Sequence, residues 1–157
     1  MPIALFRVDD RLVHGQVVIG WGRPLGLGFV VVVDPALAAS EWEQELYRMG
    51  VPAEIDLEFC DVAEAVRRAP EWARRGGAGI LLTGDIATMR ALREAGFAIP
   101  KVNLGGIHSG PGRSERLPYL FLNAADLADL RRLEALGVTV AAQDVPTAPA
   151  IALGSLA

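Results

Sequence analysis

Arg7, Asp9, Asp10, Arg11, His14 and Gln16 crowd into one short stretch, RVDDRLVHGQ, with apolar residues on either side. An imidazole is a good nucleophile near neutral pH because an appreciable neutral fraction survives, and a carboxylate on one ring nitrogen fixes the tautomer. Asp9 or Asp10 can supply that carboxylate to His14. Arg11, three residues before it, can neutralise an anion carried on the ring, with the fixed bidentate fork of a guanidinium. Gly15 removes bulk beside the histidine, and Gln16 offers an amide. Two other readings fit the same residues. One is a capped turn, with an aspartate on a helix end, an arginine paired to it and an incidental histidine. The other is a metal site of Asp9, Asp10 and His14, although no second histidine or glutamate stands at ligand spacing.

The second stretch that can do chemistry is GGIHSGPGR, residues 105 to 113. Gly105 and Gly106 allow close backbone approach to an anion, and Arg113 can add charge. His108, the other histidine of the chain, reads as a second catalytic group, a substrate contact or an exposed loop residue. The stretch is neither a P-loop, since G-x-x-x-x-G-K-[ST] is absent, nor a dinucleotide fingerprint. Elsewhere the residues read as structural. Cys60 is a small buried hydrophobe, Arg67, Arg68, Arg74 and Arg75 form a solvated basic face, and Asp85 caps a helix. Trp42 and Tyr47 lie on a helix whose apolar members pack on a sheet, with an aromatic partner surface as the lesser alternative.

These residues need elements to hold them. Short apolar runs at Pro2 to Val8, Gly28 to Val33, Ile55 to Phe59, Gly79 to Thr83, Lys101 to Leu104, Tyr119 to Leu122 and Val138 to Ala142 read as strands. GFVVVV and GILLT are continuous, the pattern of strands covered on both faces. Helical patterns fall between them. They are His14 to Arg23, Ala38 to Met49 with Ser40 as a cap, Asp61 towards Arg68 with Pro70 as an interruption, Asp85 to Glu94, and a helix capped by Asn123. Alternating strand and helix predict an α/β fold: a three-layer open sheet, mainly parallel, with helices on both faces. Ligands of such sheets bind beyond the carboxyl ends of the strands. There the sequence puts Asp9 to Gly15, Thr83 to Asp85, and Gly105 to Arg116, three loops expected to converge on one rim. His14 falls where strand becomes helix, a place where free N–H groups favour an anion.

The chain of 157 residues fits a single domain, 1–157, with an irregular C-terminal arm from about residue 145. Its hydrophobic fraction of 52% and mean hydropathy of +0.31 predict a buried sheet, an oligomer interface, or both; a homodimer is one such assembly. No apolar run approaches the roughly 18–20 residues of a membrane helix. The N-terminus has no basic region leading into an apolar segment, so the expected location is the cytosol. A net charge of -4 argues against a nucleic-acid surface. A single cysteine excludes an internal disulfide and a cysteine-based metal cluster.

RVDDRLVHGQV, residues 7 to 17, resembles the N-terminal signature of the IIB component of the mannose/fructose/sorbose family of the bacterial phosphoenolpyruvate-dependent sugar phosphotransferase system. VVVDP at 31 to 35, REAGFAIPKVNLGG at 93 to 106 and LEALGVTVAAQDVP at 133 to 146 look like the same family, so the likeness spans nearly the whole chain. The resemblance implies a phosphocarrier on an open α/β sheet that needs no cofactor and no metal. His14 would take a phosphoryl group from a IIA protein and pass it to a sugar bound by the IIC and IID membrane components, with the carrier peripheral to that permease. Arg11 matches the arginine that steadies the phosphoryl group, and Asp10 the neighbouring acidic position, where orienting the imidazole is a reasonable role. Gly105 and Gly106 match a glycine pair brought near the histidine. The chain departs from many members at Thr83-Gly84-Asp85, where they carry a phenylalanine-lysine pair, and at His108 with the GPGR that follows. These loops face donor, acceptor or sugar, which keeps a second role in view: a regulatory module whose His14 phosphorylation state controls a partner protein.

Overall fold

A computed structural model describes residues 2–157; Met1 lies outside them. Seven strands form the main sheet in the order β3-β2-β4-β1-β5-β8-β9. They are β1 (Ile3–Val8), β2 (Leu27–Val33), β3 (Asp56–Cys60), β4 (Ala78–Thr83), β5 (Lys101–Leu104), β8 (Thr139–Ala142) and β9 (Ile151–Ala152). Only β9 runs antiparallel, against β8, and it makes part of the C-terminal arm an edge segment of the sheet. The remaining pairings are parallel. The run Tyr119 to Leu122 does not join this sheet. Its Leu120–Leu122 segment (β7) pairs with Ser114–Leu117 (β6) as a separate two-stranded ribbon. Leu120 and Leu122 are nonetheless buried in the core, so an apolar strand pattern reported burial correctly and the partner wrongly.

The sheet is covered on both faces, as a continuous apolar β2 requires. Phe29, Val31 and Val33 meet α4 (Val62–Ala73), α5 (Ile86–Glu94) and α6 (Ala124–Ala135) in one core built around Trp72, Met89, Leu92 and Leu130. Val30 and Val32 face the opposite way, towards Val17, Trp21, Leu37 and the partly buried Tyr47. That second layer consists of a π-helical segment Gln16–Trp21, α1 (Gly22–Leu25), α2 (Pro35–Ala38) and α3 (Glu41–Met49). The helix expected from His14 to Arg23 is continuous from 15 to 25, π-helical over Gln16–Trp21 before it becomes α1, and the one expected from Ala38 to Met49 is α3, with the short α2 just ahead of it. Asp34 caps α2, accepting the Leu37 N–H at 3.0 Å, and Pro35 supplies the first-turn proline. Ser40 stands at the start of α3 but makes no capping bond through its side chain. Asp61, Asp85 and Asn123 cap α4, α5 and α6 as their spacing indicates. Pro70 does not interrupt α4, whose last turn is anchored by the buried Trp72 against Phe97.

Two surface expectations change. Arg68 and Arg75 are not a solvated face: both reach Glu58 on the edge strand β3, Arg75 also pairs with Asp56, and its guanidinium lies over Phe29. On α3, Tyr47 turns inward against Phe59 while Trp42, Leu46 and Met49 are exposed. Cys60 is buried and its thiol is pushed up to about 12, first by burial and then by the neighbouring carboxylate of Glu64, so it is not a reactive thiol. No helix among the described residues is long and apolar enough to cross a membrane.

Candidate functional site

β1 lies between β4 and β5, and the chain leaving it crosses to the opposite face from α5, which follows β4. Loops that depart to opposite faces leave a crevice at the carboxyl edge. The backbone seals its floor: the Asp9 N–H donates to Thr83 O at 3.0 Å, and the Asp10 N–H to Gly106 O at 2.9 Å. Gly84 lies against Leu12 and Asp34. The three expected loops do converge.

Asp9 is the centre of the arrangement. It is fully buried, the last polar residue before the turn, and four cationic or donor groups address it. Arg7 Nη2 donates to its Oδ2 at 3.3 Å. The Arg11 backbone N–H and Nε donate to Oδ1 at 3.1 and 3.3 Å. His14 Nε2 stands 3.2 Å from Oδ2, at ion-pair range but off the line of a hydrogen bond, and has no other partner. Of the two candidate carboxylates, Asp9 lies beside the imidazole of His14, and Asp10 does not. The reason is the strand period: Arg7 and Asp9 share one side of β1 and its extension, and the next residue turns away. Burial pushes the Asp9 carboxyl up, but the hydrogen bonds from Arg11 and the charges of His14 and Arg7 outweigh it and hold it below the usual carboxylate range.

His14 is mostly enclosed, its side chain 17% exposed. Burial lowers its pKa, Asp9 opposes that, and the charges of Arg11 and Arg7 add to the lowering, so the net direction is below the ordinary 6.5. A neutral ring with hydrogen on Nε2, beside Asp9, leaves the lone pair on Nδ1. An NMR titration should therefore find the His14 midpoint below 6.5, and a midpoint above 6.5 for that ring would contradict this. The stability sign agrees. In the window below 6.5 the unfolded chain binds a proton that the folded chain refuses, so stability falls as pH falls.

Arg11 is the cation beside the ring that remains partly open, with its side chain 38% exposed. Its Nη2 also donates to Gln16 Oε1 at 2.7 Å, which braces the guanidinium. Gly15 begins the π-helical segment in right-handed geometry, and both Val17 and Val18 donate to His14 O. Leu12, between Arg11 and His14, sits at φ +57, a left-handed conformation unusual for its type. Its buried side chain, packed with Val17 and Leu37, holds the loop in that strained form.

Arg7 has the deepest role, and its sequence signal is a lone arginine inside the apolar run IALFRV. Its side chain is fully buried, bonded to Asn103 Oδ1, to Gln143 O at 2.8 Å and to Asp144 O at 3.0 Å, and lies over the Trp21 ring. The parallel register sets Arg7 beside Asn103, the one polar residue buried in β5. Gly105 completes the packing. A Cβ there would stand 2.6 Å from Asp9 Oδ2 and closer still to the Arg7 guanidinium, whereas at Gly106 the nearest atoms lie at an ordinary 3.6 Å. Gly105→Ala should therefore destabilise the fold by about 1–3 kcal/mol and slow His14 chemistry, while Gly106→Ala should do little to stability. Urea unfolding of the two variants checks the contrast, and equal losses would refute it.

Asp10, on the loop after β1, pairs with His108, on the loop after β5. Asp10 accepts the His108 backbone N–H at 2.8 Å and lies 2.8 Å from its Nδ1. Arg113 turns away to Asp126 at the start of α6, at 3.1 Å, and adds no charge to the site. The carboxylates of Asp9 and Asp10 thus face cations and imidazoles, and no group of three or more metal-ligating side chains occurs among the described residues.

The comparison with known proteins matches this geometry to a family. The model for the sorbose subfamily IIB component of the phosphotransferase system covers residues 3–156. The chain belongs to that family. It is 33% identical over 147 residues to the N-acetylgalactosamine-specific phosphotransferase enzyme IIB component 1 of Escherichia coli K12, spanning 92% of this chain and 91% of that one. A mannose-specific EIIAB component of the same strain matches 99% of this chain at 28% identity, and there the chain spans 48% of its relative's length. Among solved structures, the same Escherichia coli N-acetylgalactosamine-specific component 1 superposes with a TM-score of 0.89 at 30% identity, covering 95% of this chain and 97% of that one. The IIB domain of the Klebsiella pneumoniae sorbose permease has the same fold, with a TM-score of 0.89 at 24% identity and coverage of 99% and 96%. As a IIB component of the sorbose subfamily, the protein is a phosphotransferase of sugar uptake built on a mainly parallel α/β sheet.

Proposed function

We propose that this IIB component accepts a phosphoryl group from a phosphorylated IIA protein on His14 and delivers it to a sugar held by the IIC and IID membrane components. In reaction terms it is a protein-Nπ-phosphohistidine–sugar phosphotransferase, docking at the cytoplasmic side of its permease. The observation that carries this reading is the pairing of a buried Asp9 with His14 Nε2, which leaves Nδ1 as the ring nitrogen Asp9 does not engage. On phosphorylation the Nδ1 lone pair forms the P–N bond, the bond to the donor nitrogen breaks, and the ring becomes cationic with its proton still on Nε2. Asp9 faces that positive charge, and Arg11 faces the phosphoryl oxygens. Phosphoryl transfer spreads charge over three oxygens, so positioning and positive charge suffice, without cofactor or metal. The group must also leave again, which favours one partly exposed arginine over a closed cage.

The test is stepwise transfer. Phosphoenolpyruvate, the upstream carriers and a sorbose-family IIA protein should place an acid-labile, alkali-stable phosphoryl group on the His14 peptide. Membrane vesicles bearing the corresponding permease, offered N-acetylgalactosamine, mannose or sorbose, should then discharge it as a sugar phosphate. Labelling elsewhere refutes the site. Labelling at His14 with no sugar phosphate formed favours the regulatory role instead.

A further inference from the structure

Two consecutive aspartates serve two different histidines. Asp9 belongs to His14; Asp10 belongs to His108, through both oxygens at 2.8 Å from Nδ1 and through the backbone N–H. A clasp for the loop needs only the backbone bond. The second contact fixes the ring: an ionised carboxylate only accepts, so the hydrogen of His108 sits on Nδ1 and the lone pair on Nε2. That is the arrangement by which a carboxylate prepares an imidazole to take up a proton. The His108 side chain is 74% exposed. With Arg11, Gln16, Gly106, Tyr119 and Asp144 it lines a cleft of about 220 Å³. Arg11 and Gln16 are braced together, and Arg11 shares the Asp9 carboxylate with His14, so the wall of the cleft and the ring that would carry the phosphoryl group meet on one carboxylate.

We infer that His108, oriented by Asp10, is the general base of the outgoing half-reaction, taking the proton of the acceptor hydroxyl. This rests on the phosphocarrier reading above. The two halves differ in their protons. Charging moves the phosphoryl group from one imidazole nitrogen to another, and no proton has to be removed. Discharge to a hydroxyl forms an O–P bond, breaks the Nδ1–P bond with its electron pair returning to Nδ1, and releases the hydroxyl proton. His14 cannot take that proton on Nε2, which already holds one beside Asp9. His108 Nε2 takes it and passes it to solvent, to which the side chain is open.

The experiment separates the halves. Wild type, His108→Gln, His108→Ala and Asp10→Asn are charged from the phosphorylated IIA protein, isolated, and mixed in a single turnover with sugar and permease vesicles. Discharge should fall about 100-fold in the His108 variants, the size of a lost general base, with charging changed far less, and Asp10→Asn should show the same selectivity. Imidazole added to the buffer should restore part of the His108→Ala discharge, which a purely loop-holding role would not allow. Parallel losses in both halves, an undiminished discharge, or a failure of imidazole to rescue overturns the assignment. A wild-type phosphoprotein that discharges to no sugar overturns the sugar-carrier reading instead.

Discussion

A His14→Ala chain should take up no phosphoryl group from a phosphorylated IIA protein, whereas the wild-type chain should label to completion. The loss is expected to be total because no second group at the rim combines the required properties. The nucleophile must be neutral, have its other nitrogen faced by a carboxylate, and lie beside a partly open cation, as His14 does with Asp9 and Arg11. His108 has a carboxylate, Asp10, but is the more exposed ring, and it is Asp9 rather than Asp10 that Arg7 and Arg11 address. Folding should be little changed, since the His14 side chain contributes no aligned hydrogen bond to the core. Melting temperature and circular dichroism then separate a chemical loss from a structural one. Full labelling of His14→Ala with loss in His108→Ala would move the phosphorylation site to the second loop.

Arg7→Met should cost about 3–5 kcal/mol of stability, the penalty of breaking a buried ion pair from one side. The methionine fills much of the space but leaves Asn103 Oδ1 and the carbonyls of Gln143 and Asp144 without their donor. It also leaves buried Asp9 with Arg11 as its remaining arginine. Arg11→Met is the control. That side chain is partly exposed, so its loss should cost about 1 kcal/mol or less in stability, yet slow the charging of His14. Urea unfolding and initial labelling rates place each variant on both scales. If the two arginines cost the same stability, the division into a structural and a phosphate-facing cation is wrong. Because Arg7 also ties down Gln143 and Asp144, and Trp21 Nε1 donates to the same Asp144 carbonyl at 3.2 Å, the variant should loosen the chain beyond β8 as well.

The sequence by itself determined the class of the fold and the location of the chemistry. Continuous apolar runs such as Val30 to Val33 carry the pattern of strands buried on both faces, and capping residues at Asp61, Asp85 and Asn123 opened the helices that cover one of them. A local density of charge in an otherwise apolar segment placed the site at the end of the first strand. Local signals fail where the partner is remote. Tyr119 to Leu122 carried an apolar strand pattern, and only the chain path put it in a ribbon outside the main sheet. The exposure of Trp42, Leu46 and Met49 depended on which face of α3 met the sheet.

The division of labour between Asp9 and Asp10 was undecidable from their adjacency. It was decided by strand alternation, which buries Asp9 with Arg7, and by the β1–β5 pairing, which brings the loop after β5 up to Asp10. The same pairing sets Asn103 beside Arg7, and it makes Gly105 indispensable by leaving no room for a Cβ between two charges. Residue types and spacing put two carboxylates within reach of His14. Only the fold showed that Asp9 is the one beside its ring, and that Asp10 lies against His108, 98 positions away.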